Sequence, residues 1–375
     1  MAQAYSPGLT VTDSIVLRKD RILPLKGTVL VKKGDKVKAN DLVAETLLPG
    51  KVVPFNIANK LGVPPNMVEQ YLTVKEGDKI TKGQLMAETK GIFGFFKTKV
   101  KAPIDGELES ISKITGQTLL REPRIPVQMK AFMDGIVVDV IEKEGVVVEN
   151  KSAYIQGIFG IGGEVYSELK MVSKSPDEIV EPSSIDESCR GKIIVCGSLV
   201  PYAVIQKAVE KGVLGIITGG IDDQDLKKIL GYDIGVAITG HEKIGLTIVA
   251  TEGFGPIKMA QKTYDLLKRF EGKMASMHGF TQIRAGVMRP EIIIPIDFKL
   301  EELTVEEPKM ATLEIGTTVR IIRQPNFGQL AQITRLPEEL VSVESETLVR
   351  ILEAKLEETG EKVILPRANV EVIED

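Results

Sequence analysis

Three groups of residues in this 375-residue chain have the types and spacing to do chemistry. The first is Thr251-Glu252-Gly253-Phe254-Gly255, between the apolar run LTIVA and the amphipathic stretch IKMAQKTYDLLKRFEG (257–272). A strand that feeds a glycine turn and then a helix offers bare N–H groups and a helix N-terminus to an anion, and open α/β sheets gather ligands at such strand ends. Thr251, Glu252, Gly253 and Gly255, with Arg284 nearby, are the candidate ligand-binding residues; the alternative is plain strand-to-helix turn chemistry. The second group is Arg320, Arg323 and Arg335, joined by Arg350 and Arg367, a set able to face nucleic-acid phosphates. Interleaved glutamates and the shortage of aromatics oppose that use. The third is Phe93, Phe95 and Phe96 in GIFGFFKTKV (91–100), which reads as a hairpin tip whose exposed aromatics would contact a partner.

Other reactive residues are less well placed. Asp222, Asp223 and Asp225 would suit a metal, but an acidic first turn equally complements a helix dipole, and Asp222 can cap that helix. His241 and His278 have no serine or cysteine nucleophile motif beside them and are expected as turn or surface histidines. Cys189 and Cys196 cannot make a zinc or iron–sulfur site unaided. No catalytic residue, metal or cofactor is expected.

Composition narrows the function further. The net charge of −4 opposes a generally basic nucleic-acid binder, while 5% aromatic residues and no tryptophan oppose carbohydrate or base-stacking surfaces. MAQAYSPGLT lacks the basic start and apolar core of a signal peptide. No apolar run approaches the roughly 20 residues that span a bilayer. A cytoplasmic protein with no membrane span is the expectation.

The elements that must position these residues begin with a repeat. VKKGDKVKANDLVAET (31–46) returns as VKEGDKITKGQLMAET (74–89), identical at 9 of 16 positions. Each copy is two alternating runs joined by a Gly-Asp turn, in which Gly34 or Gly77 takes positive φ and Asp35 or Asp78 closes the turn. IANKLGVPPNMVEQYL reads as a helical insert between the copies. VKAPIDGELESIS (100–112) reads as a return strand, and KAFMDGIVVDVIEKEGVVVEN (130–150) as a partial third unit. GIFGIGGE (157–164) lacks the spacing of a phosphate loop and is expected as a tight crossover between strands.

The period changes after 173–189, a polar, acidic, proline-bearing linker. GKIIVCGS, PYAVIQKAVEKG and VLGIITGGI read as a strand, a helix ended by Gly212, and a second strand, hence a parallel βαβ unit. The expected architecture is multidomain, β-rich and α/β. It comprises a β region with an internal repeat at 1–172, the 173–189 linker, an α/β domain at 190–296, a linker at 297–312, and a small barrel at 313–375.

The repeat V-K-x-G-D-x-(V/I) with L-x-A-E, followed by VKAPIDGEL, resembles the barrel-sandwich hybrid of biotinyl/lipoyl-carrier domains over roughly residues 20–170. In a carrier, a lysine at a tight hairpin tip is modified, and Lys90 in AETKG stands near that position. Twelve residues separate it from Pro103 and include GIFGFF, so an unmodified building block is expected. Residues 190–296 faintly resemble protease-associated and swivelling β/α domains, which act as positioning modules. Residues 313–374 resemble a KOW module, an SH3-like barrel found in transcription elongation factors and ribosomal proteins; Gln324 and Ala331 replace its usual glycines. The combination implies a non-enzymatic cytoplasmic scaffold or assembly protein that contacts other proteins or itself. RNA or transcription and translation machinery bound through the KOW-like module is the alternative. A small-ligand enzyme or a lipoyl/biotin-type carrier is the second alternative.

Overall fold

A computed structural model describes residues 9–90, 97–232, 238–240, 242, 244–282, 288–296, 313–321, 326, 329–337, 340–342, 348–357 and 359–372. Phe93, Phe95, Phe96, His241, Arg284 and Arg323 lie outside the described residues.

The fold is β-rich and built from several sheets, the largest 11-stranded among the described residues. Four of its strands run parallel: Glu164–Met171, Ile193–Val195, Gly215–Ile221 and Thr247–Phe254. The last three are wholly or largely buried, as strands covered on both faces must be. The helix Tyr202–Lys211 connects the second to the third, and Gly212 ends it in the left-handed conformation as expected. Asp222 does cap the next helix, Asp223–Leu230, accepting from the Gln224 and Asp225 N–H groups at 2.8 and 3.2 Å.

On its other side the Glu164–Met171 strand pairs antiparallel with Met274–His278, then Glu291–Pro295, then the long Gly145–Gln156 strand. Val11–Ile22 lies along that last strand. One sheet therefore runs unbroken from the N-terminal region into the parallel strands. Alternate residues feed two cores: Ile292 and Ile294 face one with Leu267 and Met277, and Ile293 faces the other with Tyr154 and Phe132. Each fully buried isoleucine of this run contributes about 1.5–3 kcal/mol over an exposed one.

The repeat has an organisation the sequence conceals. The Gly34 N–H donates to the Val137 carbonyl (2.7 Å) as the Gly77 N–H does to Leu108 (2.8 Å). Asp35 accepts the Lys32 N–H at 2.8 Å and Asp78 the Lys75 N–H at 2.7 Å. Asp134 accepts the Ala39 N–H at 2.9 Å, and Asp105 the Lys82 N–H at 2.8 Å. KAFMDGIV is thus the return half of the first copy, matched to KAPIDGEL in the second. The expected third unit is a correction: there are two units, the second nested inside the first. Each half-unit closes only against its partner half, so the distance along the chain hides the pairing. The insert between copies holds an α-helix, Ile57–Leu61, and a 3-10 helix, Pro65–Tyr71.

The C-terminal strands Thr318–Ile321, Leu330–Arg335, Leu340–Ser342, Leu348–Leu356, Lys362–Pro366 and Val370–Val372 form a separate antiparallel sheet around Val319, Ile333, Leu352 and Val370.

Candidate functional site

The ligand loop foreseen at 251–255 is largely strand. Thr251, Glu252 and Gly253 lie within Thr247–Phe254, and Gly255 follows at φ +93°. The Thr251 hydroxyl donates to the Thr218 carbonyl at 3.2 Å. Glu252, only 3% exposed, accepts the Ala260 N–H at 2.9 Å, where the helix Gln261–Arg269 begins. Its other oxygen takes the guanidinium of Arg320, a residue 5% exposed. The ligand-loop carboxylate and the supposed phosphate-facing arginine thus neutralise each other in the interior. Arg320 sits in a strand between buried Val319 and Ile321, and the Glu252 carboxylate is the charge that makes its burial tolerable. Arg335 lies at the surface, 3.1 Å from Glu353, and Arg367 donates to the Ile351 and Pro337 carbonyls. Lys90 is exposed just beyond the Leu85–Glu88 strand.

Gly219 and Gly220 lie within the Gly215–Ile221 strand, where other backbone approaches closely. A Cβ on Gly220 would stand 1.9 Å from the Gly255 carbonyl oxygen, and one on Gly219 would stand 2.3 Å from that of Ile257. The 255–260 segment lies against this strand, which delays the start of the following helix to Gln261. Gly220→Ala is expected to lower stability by about 1–3 kcal/mol or more, because backbone must move to admit the methyl. A urea midpoint equal to that of the parent would refute this. Where a tight crossover was expected at 157–164, the chain instead forms a short strand, Phe159–Ile161, antiparallel to Thr247–Phe254; Gly160 lies in it, and a Cβ there would be 2.8 Å from the Gly279 Cα.

The best-formed polar site lies elsewhere, on the face of the large sheet that carries Tyr154 and Ile293. Strand register places Glu164 opposite His278, His278 opposite Glu291, and Glu291 opposite Gln156. Directly paired residues project from one face, so four polar side chains from four adjacent strands stand in a row. Lys19 and Arg21 reach this row from the Val11–Ile22 strand, and Phe132, Phe280 and Arg289 complete the walls of a cavity of about 600 Å³.

Glu291 is the hub. One oxygen accepts from the His278 Nε2 at 3.0 Å; the other accepts from Lys19 Nζ at 2.5 Å and the Tyr154 hydroxyl at 2.8 Å. Burial alone would raise its carboxyl, but the bond from His278 and the charge of Lys19 overcome that and hold it down at about 2. The same burial and the Glu291 charge push the Tyr154 phenol strongly up, so it stays a donor. The His278 Nδ1 accepts the Phe280 N–H at 3.2 Å, which assigns the proton to Nε2. Contrary to the surface role expected of it, His278 is 8% exposed and has both ring nitrogens engaged; a charged strand partner 13 residues onward explains its burial. Arg21 lies over the Phe132 ring at 5.3 Å, grips Glu164 through two 2.8 Å bonds, and donates from Nε to the Lys130 carbonyl at 2.7 Å. Burial and the neighbouring Arg320 push Arg289 down to about 10.

None of these residues forms a motif. Lys19-Asp20-Arg21 alternates on a strand, and Glu291 heads a run of three isoleucines after Pro290. A carboxylate leading a buried apolar strand was the available signal, since such a charge needs a partner.

Among the described residues no cluster of three or more His, Cys, Asp or Glu side chains is placed to hold a metal, and both cysteines are buried free thiols. Among the described residues no helix is long and apolar enough to cross a membrane. The molecule is a β-rich protein with a buried polar network flooring an open cavity. No protein-family model matches the chain, and no curated protein matches it.

Proposed function

We propose that the chain works by binding rather than by catalysis, as an assembly protein whose modules hold partners or further copies of itself. The observation that carries this is the way the polar network is tied. Glu291 has both oxygens bonded, His278 both nitrogens, and Arg21 all three guanidinium nitrogens. A general acid or base needs a position from which to exchange a proton with substrate; a network bonded in this manner fixes geometry instead. The nested pair of hairpin units supports the barrel-sandwich hybrid reading of the N-terminal region, the parallel strands joined by a helix support the α/β reading of 190–296, and the antiparallel C-terminal sheet supports the SH3-like one. Such modules serve mostly as contact surfaces.

The test is the mass of the native particle together with that of the chain, on protein purified from its own cells. The expected result is a homogeneous particle heavier than the 41.0 kDa chain, with the chain itself unmodified. A monomer at all concentrations, with no stoichiometric companion, would overturn the reading. Added mass on Lys90 would overturn it in favour of a carrier.

A further inference from the structure

We propose that acid opens one wall of the cavity, with His278 as the trigger and the segment that follows it, 279–282, as the part that moves. The trigger lies in the two unequal bonds of the His278 ring. Its Nε2 proton goes to the Glu291 carboxylate at 3.0 Å, while Nδ1 accepts the Phe280 N–H at 3.2 Å. Taking up a proton makes both ring nitrogens donors. The Glu291 bond then gains opposite charge and survives. The Phe280 N–H meets a second N–H and must turn away. The imidazolium is thus held on one side and released on the other.

The surrounding charges leave that conflict in place. Glu291 is already engaged by Lys19 and Tyr154, and Glu164, opposite His278 on the neighbouring strand, is held by Arg21. Asp20 and Arg289 are the other charged residues of the lining. While His278 is neutral, the lining's cations Lys19, Arg21 and Arg289 are matched by Asp20, Glu164 and Glu291. A proton on His278 adds a charge that no further carboxylate of the described lining offsets, and water admitted by an open wall solvates it.

The released turn carries the wall with it. Phe280 packs on His278 with ring centroids 5.1 Å apart, and Thr281 and Gln282 continue the lining. The Phe280 ring occupies the space that Gly240 leaves, since a Cβ on Gly240 would stand 1.8 Å from the Phe280 Cδ1. Thr281–Gln282 pairs with Ile238–Thr239, two residues against two, in a sheet separate from the large one. So short a two-stranded ladder is a weak anchor. Met274–His278, by contrast, is locked between Glu164–Met171 and Glu291–Pro295. The fixed and the releasable parts meet at Gly279.

The network that supports the binding reading also supplies the trigger, yet the two fall separately: particle mass decides that reading, and amide exchange decides this one. The experiment is hydrogen–deuterium exchange of the full chain from about pH 8 to about pH 5, with rates normalised to the intrinsic chemistry at each pH. Amides of 280–282 and 238–240 are expected to lose protection about tenfold or more on acidification, while the Gly215–Ile221 strand keeps its own. His278→Gln cannot take up the proton and should show no such step. Unchanged protection in the parent, a loss spread evenly over the large sheet, or the same loss in His278→Gln would overturn the proposal. If His278→Gln does not fold, NMR of the parent decides. A Phe280 amide shift that follows the titration of the His278 ring supports the switch, and one that ignores it overturns it.

Discussion

Replacing Glu291 by alanine is expected to cost about 3–5 kcal/mol of folding stability, because it strands a lysine, a tyrosine and a histidine that all donate to one carboxylate. Out of a total of roughly 5–15 kcal/mol for a protein domain, that is enough to leave much of the protein unfolded at 37 °C. Glu291→Gln keeps the volume but turns an –NH₂ toward donors on one side or the other, so it should recover only part of the loss. Lys19→Met in the Glu291→Gln background should be less harmful than the sum of the two single changes, since the residues share one contact. Strict additivity in urea unfolding would show that the network is not a unit.

The same carboxylate sets an acid limit. Its folded pKa of about 2 lies below an ordinary unfolded value near 4.5, so its stabilisation is fully present above the unfolded value. It is lost as pH falls from there through about 2, and amounts to about 3 kcal/mol. The Glu291→Gln protein should therefore lose less stability than the parent between pH 5 and 2. Parallel pH profiles for the two proteins would refute the assignment.

What the sequence made legible were features closed by neighbours in the chain. The Gly-Asp turns at Gly34 and Gly77, the Gly212 terminus and the Asp222 cap each rest on contacts within a few residues, and each is found where it was expected. The site was hidden for the opposite reason. Lys19, Tyr154, His278 and Glu291 come from four strands spread over 272 residues, and only sheet register brings them together. The nesting of the two hairpin units was hidden likewise, with 95 residues between Ala39 and the Asp134 that closes its turn. Glu252 and Arg320 were both noticed, and both for the wrong neighbour. Each was read as facing a ligand, yet they face one another 68 residues apart.

That pair yields the last prediction. Arg320→Ala leaves the Glu252 carboxylate buried with only the Ala260 N–H to serve it, and should cost about 3–5 kcal/mol. Arg320→Glu is worse, since it sets two carboxylates together. Arg320 and Val319 belong to the C-terminal sheet and Glu252 to the large one, so the loss should appear as early release of the 313–375 segment to protease, before the large sheet melts. The double variant Glu252→Gln/Arg320→Met removes both charges and should regain most of the stability, because a neutral pair needs no compensation in the interior. If the single and double variants were equally unstable, the ion pair would not be the joint between the two sheets. The outcome also governs how RNA contact by the C-terminal segment can be tested. A loss of binding in an Arg320 variant would report detachment rather than a missing phosphate contact. Arg335 is the informative position, since its side chain is already at the surface with Glu353 and Arg335→Glu leaves the joint intact.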